Sequence, residues 1–170
     1  MASSLYFVVL LCLTGGLWTG ANAQGKDQSV NPDEDGDCCV SCPPGWTQFE
    51  NNCYIFYFSA KDWADAEVAC IAVGGNLAPV HNKEQLTFIE EMIKRSTGSE
   101  VPSWLGGHDA VKEGVWLWSD GSKFDYKFWS AGEPSNGGGA ENCMVNAFSG
   151  KANDLNCQNK KSYVCGKSLY

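Results

Sequence analysis

Tyr54-Ile55-Phe56-Tyr57-Phe58 is an unbroken run of aromatic and β-branched residues, which predicts a strand. The hydrophobic period changes directly after it. Ala60, Trp63, Ala66, Cys70 and Val73 recur at steps of three and four, so a helix follows with Cys70 on its buried face. Ser59 is its expected N-cap, with Asp62 three residues on, and Gly74-Gly75 is its stop. A second helix is expected from Asn82, with Gln85 in the capping-box position and Leu86, Ile89 and Ile93 as its apolar stripe. It ends before Gly98. Beyond it the pattern is short strands and loops: Ser103 to Leu105, Trp116 to Trp118, Cys143 to Val145 and Ser162 to Cys165. Helices early and strands late predict an α+β fold rather than a βαβ repeat.

Two N-terminal stretches fit neither period. Leu5 to Trp18 is apolar but short and interrupted by Gly15-Gly16, and Ala21-Asn22-Ala23 forms a small-residue cleavage site before Gln24. Residues 1–23 are therefore expected to be a signal peptide, and the mature protein secreted and extracellular with no membrane span. Residues 24–41 are polar and carry Asp33-Glu34-Asp35-Gly36-Asp37, the composition of a flexible acidic stalk. The alternating acids lack the bidentate Glu and flanking helices of an EF-hand. Residues 42–170 form the expected domain. A net charge of −8 argues against nucleic-acid binding and against anionic membrane surfaces.

Of nine cysteines, Cys12 leaves with the signal peptide, and the eight that remain in a small exported chain imply a disulfide framework. Sequence spacing leaves about a hundred pairings open. Zinc at Cys38, Cys39 and Cys42 is disfavoured, because no downstream Cys/His pair stands at metal spacing.

The candidate chemistry lies near the C-terminus. Glu133, Ser135, Glu141, Asn153 and Asp154 supply carboxylate, hydroxyl and amide oxygens, the hard donors that calcium takes six to eight at a time. A long Gly-rich stretch from Trp118 to Cys143 leads into them, and calcium crosslinks between separated segments offset the entropy of ordering such a loop. Trp104, Trp116, Trp118 and Trp129 are expected in the core. A carboxylate pair such as Glu133 and Glu141 is also what a glycosidase uses, but metal ligation accounts for both, and His81 and His108 form no triad pattern. No enzymatic activity is expected.

Glu133-Pro134-Ser135, Glu141-Asn142-Cys143 and Asn153-Asp154, together with Trp104-Leu105-Gly106-Gly107 and Cys42-Pro43-Pro44-Gly45-Trp46, resemble the C-type lectin domain family, in particular the short fish lectins of the ladderlectin and type II antifreeze group. The resemblance runs from Cys42 to the C-terminus. It implies two helices packed on small antiparallel sheets, a long calcium-binding loop, and the disulfides Cys42–Cys53, Cys70–Cys165 and Cys143–Cys157. It implies Ca2+ at Glu133, Ser135, Glu141, Asn153 and Asp154, with Glu133, Ser135, Glu141 and Asn153 also touching carbohydrate. A second calcium site is implied at Asp109, Glu113 and Asn136. It further implies a cis bond before Pro134. The expected partner is a glycan on microbial or cell surfaces, a role in innate immunity, and the acid-first order Glu133-Pro134 leans toward mannose-type sugars. Ser135 stands where the family has Asn or Asp, and Ala152 where it has Trp. Ice binding, or protein binding of a toxin-like kind with sugar binding lost, are the alternatives on the same architecture.

Cys38 and Cys39 fall outside the three implied disulfides and follow the stalk, which makes them candidates for bridges between chains. Non-reducing electrophoresis is expected to show a disulfide-linked dimer or larger homo-oligomer that collapses when both are changed to Ser. A monomer band alone, unaltered by that change, would contradict it.

Overall fold

The aromatic run forms the spine of the fold. In a computed structural model, which describes residues 41–170, strand β2 runs Asn52–Lys61. It pairs antiparallel with β1 (Thr47–Phe49) on one side and with β8 (Lys161–Ser168) on the other. The expected signal peptide, the Cys38 and Cys39 positions and all but the last residue of the expected stalk lie outside the described residues.

β2 continues past the predicted strand, because Lys61 still pairs with Lys161 across an irregularity after Tyr57. Ser59 and Ala60 are therefore strand residues, and the helix start moves. Helix α1 spans Trp63–Ala72 with Asp62 as its N-cap, its carboxylate accepting from the Asp65 amide at 2.9 Å. Ala66 and Cys70 are buried as the period requires, whereas Val73 is the exposed C-cap. Helix α2 (Lys83–Thr97) matches its expected limits. Asn82 accepts from the Gln85 amide at 2.7 Å, and Gln85 reaches back to the His81 amide at 2.8 Å, one residue further than a standard capping box. Leu86, Ile89 and Ile93 are fully buried. Each such side chain contributes roughly 1.5–3 kcal/mol of transfer free energy. Gly98 closes the helix at φ 75°.

The other strands are β3 (Asn76–Leu77), β4 (Ser103–His108), β5 (Leu117–Trp118), β6 (Cys143–Phe148) and β7 (Lys151–Leu155). The main path of the sheet is β1-β2-β8-β4-β6-β7, with β3 on β8 and β5 on β4. Every strand pair is antiparallel except β4 with β8, whose parallel register joins the antiparallel groups into one hydrogen-bonded set. The larger core lies around α2, with Leu105, Met144, Val164, Trp116 and Trp118. A second cluster gathers Ala66, Cys70, Leu77, Trp104 and Tyr163 beside α1. Trp104, Trp116 and Trp118 are thus buried as expected, but Trp129 is only half-buried.

Three disulfides reinforce the two cores. The bridges are Cys42–Cys53, Cys70–Cys165 and Cys143–Cys157, the pairing implied by the family resemblance. Cys70–Cys165 joins α1 to β8 across 95 residues of sequence. Glu67, on α1, adds a polar staple: its carboxylate accepts from the Leu77 amide at 2.7 Å, from the Asn76 side chain at 2.5 Å and from the Ser119 hydroxyl at 3.0 Å.

Trp104-Leu105-Gly106-Gly107 is the strand on which these layers meet. The Trp104 indole donates to the Lys61 carbonyl at 3.0 Å. A Cβ on Gly106 would strike the Leu77 carbonyl and stand 2.9 Å from the Ser119 hydroxyl, so β3 and β4 approach this closely only without a side chain. Gly106→Ala is expected to lower unfolding free energy by about 1–3 kcal/mol, the cost of overpacking against backbone. Urea denaturation checks this, and an unchanged midpoint would contradict it.

Candidate functional site

The outer edge of β7 is covered by the long loop that follows β5. The Ala152 amide donates to the Phe128 carbonyl at 2.8 Å, and the Ser130 amide donates to the Ala152 carbonyl at 2.9 Å, a parallel bridge between Trp129 and Ala152. Ala152 is fully buried, so the position that lacks the family's Trp still anchors the site through its backbone. The Glu133 amide donates to the Ser130 carbonyl at 3.0 Å, and the peptide bond from Glu133 to Pro134 is cis. Asp154 then closes the loop. Its carboxylate is fully buried on β7 and accepts from the Ser135 amide at 3.0 Å on Oδ1 and from the Asn136 amide at 2.7 Å on Oδ2. A carboxylate withdrawn from water needs such partners. These bonds bring Glu133-Pro134-Ser135 against Asn153-Asp154, two segments nearly twenty residues apart.

Glu141 enters from the far side of the loop. Its Oε2 accepts from the Gly137 amide at 2.7 Å and from the Ser135 hydroxyl at 3.4 Å. A Cβ on Gly137 would lie 2.6 Å from that same oxygen, so the approach depends on glycine. Glu133 Oε2 and Asn153 Oδ1 are buried and have no hydrogen-bond partner among the described residues. An orphaned buried acceptor costs about 1–3 kcal/mol. Here two of them, both hard oxygens, occur in segments that Asp154 holds together. A water, another donor or a cation can satisfy such acceptors, and the oxygens of Glu133, Ser135, Glu141, Asn153 and Asp154 fit calcium in donor chemistry. Among the described residues no three His, Cys, Asp or Glu side chains converge on one point.

The auxiliary set is organised differently. Asp109 is buried, and its two oxygens accept from the Gly114 amide at 2.8 Å and the Asn142 side chain at 3.0 Å, which caps the turn after β4. Glu113 accepts from the Asn136 side chain at 2.6 Å, and the Asn136 side-chain oxygen accepts from the Glu141 amide at 3.1 Å. These bonds brace the loop, and none of the three residues has an orphaned buried acceptor. Beside Asp109, burial holds the His108 imidazole below its ordinary pKa against the pull of Asp109 and Glu67. The ring lies 5.1 Å from that of Trp63.

Adjoining Pro134 is a hollow of about 420 Å³, lined by Val115, Trp116, Phe124, Lys127, Trp129 and Pro134 with the Gly114 backbone. Its residues have no period or motif in common and come from three segments, so the sequence marked Trp116, Trp129 and Pro134 for other reasons and did not mark Val115, Phe124 or Lys127. β7 was also unpredicted as a strand, because Lys151-Ala152-Asn153-Asp154-Leu155 has a charged residue, Asp154, at a buried register position.

Loop order is expected to depend on Asp154 even without metal. Asp154→Ala removes two charge-assisted bonds and is expected to cost about 2–4 kcal/mol in chelator, with Asp154→Asn, which keeps one acceptor, costing less. Equal stability of the three proteins in urea would contradict the role given to this carboxylate.

Comparison with known proteins agrees with this geometry. The family profile of the Lectin C-type domain matches residues 59–167. The galactose-specific lectin nattectin of Thalassophryne nattereri is 43% identical over 170 residues, covering 99% of this chain and 100% of that protein. Ladderlectin of Oncorhynchus mykiss is 42% identical, covering 81% of this chain and 72% of that protein. The solved structure of a Ca2+-dependent type II antifreeze protein, in its Ca2+-free form, superposes with a TM-score of 0.68 at 36% identity, covering 75% of this chain and 100% of that one. Fold, disulfides, loop architecture and sequence similarity converge: the chain belongs to the C-type lectin domain family.

Proposed function

We propose that this protein is a secreted, calcium-dependent carbohydrate-binding lectin that holds exposed sugars on microbial or cell surfaces and catalyses no reaction. The observation that carries this reading is the pair of buried acceptors without partners, Glu133 Oε2 and Asn153 Oδ1, in segments locked together by Asp154. Calcium, when bound, supplies an electrophilic contact to two vicinal sugar hydroxyls. The chain's own residues do the rest. Glu133 and Glu141 accept hydroxyl protons, Asn153 Nδ2 donates to a hydroxyl lone pair, and Ser135 contributes a short neutral oxygen. Asp154 positions the loop by its two amide bonds and offers its remaining lone pairs to the ion. His81, whose Nδ1 lies 3.3 Å from Asp125, and His108, packed near Trp63, stand outside this arrangement.

Two observations bear on the sugar. The acid-first Glu133-Pro134 order leans toward mannose-type ligands, whereas nattectin is named galactose-specific and is similar along the whole chain. Galactosides and mannosides are therefore the two ligand sets to compete. Ice binding is a second reading, supported by the type II antifreeze neighbour, and a thermal-hysteresis assay separates it from sugar binding.

Calcium is expected to raise Tm by several degrees over chelator, because it binds the native arrangement alone. At about a hundredfold excess over Kd the linkage is roughly 3 kcal/mol. Glycan-array binding is expected in calcium and lost in chelator. An unchanged Tm at millimolar calcium together with glycan binding that survives chelation would refute the proposal.

A further inference from the structure

The hollow beside Pro134 has a chemistry opposite to that of the oxygen-rich loop. Trp116 and Trp129 meet edge to face with ring centroids 4.5 Å apart, and Phe124 lies 6.3 Å from Trp116, giving aromatic walls on the scale of a pyranose ring. Val115 and Pro134 complete the apolar surface. The one charged side chain on the lining is Lys127, which is exposed. The lining carries no carboxylate, amide oxygen or hydroxyl side chain. Lys127 forms no ion pair among the described residues.

A surface that sets an unpaired ammonium beside aromatic faces suits a ligand with an apolar face and an anionic acceptor. We propose that the hollow is a subsite for an anionic group, a sulfate or carboxylate, on the glycan held by the adjoining loop, with the apolar face of its sugar against Trp129 and the anion paired to Lys127. This inference rests on the calcium-lectin reading. It also follows that the acidic ligand depends on calcium, because Glu133 and Glu141 repel an anion until a divalent cation offsets their charge. Two vicinal hydroxyls are committed to the loop, so the anion must sit on another carbon, and a 6-substituent leaves those hydroxyls free.

Titration calorimetry on the mature protein in calcium tests this with matched pairs: lactose against 6′-sulfolactose and 6′-sialyllactose, and methyl mannoside against its 6-sulfate. The acidic member of the pair that binds is expected to be about two- to fivefold tighter, the worth of a partly exposed charge pair. That advantage is expected to shrink as salt shortens the screening length. The sulfate and carboxylate arms identify the anion. Lys127→Gln, at an exposed position, is expected to lose the advantage while keeping neutral-sugar affinity; Lys127→Arg is expected to keep it; Val115→Glu is expected to reverse it. Equal affinity for neutral and acidic members, or an advantage untouched by Lys127→Gln, overturns the subsite and leaves the lectin reading standing. Failure of every neutral and acidic member to bind in calcium overturns both.

Discussion

Asp154 carries a charge on a strand, with no exposure to solvent. Burying a carboxylate is costly unless strong donors meet it, and the two donors here are the amides of Ser135 and Asn136. The requirement works in both directions. The strand needs the loop to satisfy its charge, and the Gly-rich loop, which has little apolar surface of its own, needs the strand to order it. The positions of Glu133, Pro134 and Ser135 follow from that exchange, as does the hollow on the far side of Pro134.

The exchange is effective because β7 is held rigidly behind it. β7 pairs with β6 from Cys143 to Phe148, and the Cys143–Cys157 bridge closes that hairpin at the end nearest the site. β6 pairs with β4, whose two glycines admit β3 and the Met144 side chain at distances no Cβ would allow. Glu67 ties α1, β3 and Ser119 at the start of the loop through one half-buried carboxylate. The fold thus uses acids repeatedly as internal fasteners: Asp154, Glu67 and the turn cap Asp109. The net negative charge reflects structural acids as well as candidate metal ligands.

Two surfaces of unlike character adjoin at Pro134. One is rich in oxygen acceptors, two of them buried without partners among the described residues; the other is aromatic and carries Lys127. Under the proposed function, the first would read a sugar by its hydroxyls and the second by its apolar face and substituents, so affinity and selectivity would rest on different residues.

Local pattern determined much of this in advance. The aromatic run specified β2, the Leu86/Ile89/Ile93 stripe with Asn82 and Gly98 specified α2 to the residue, and the order of oxygen-bearing residues marked the loop, because periodicity and capping are short-range effects. Resemblance to a family supplied the disulfide pairing, which spacing alone left open. Other features were decided only by tertiary structure. β2 ran past Ser59 because its partner β8 offered further pairing, which moved the cap of α1 to Asp62. Asp109 is also a buried turn cap, with Gly114 and Asn142 folded against its carboxylate, a role its sequence position did not show. Trp129, expected in the core, instead walls a hollow with Phe124 and Lys127. A sequence records which side chains can donate, accept or pack. Which of them meet is set by long-range pairing, and no local period encodes that.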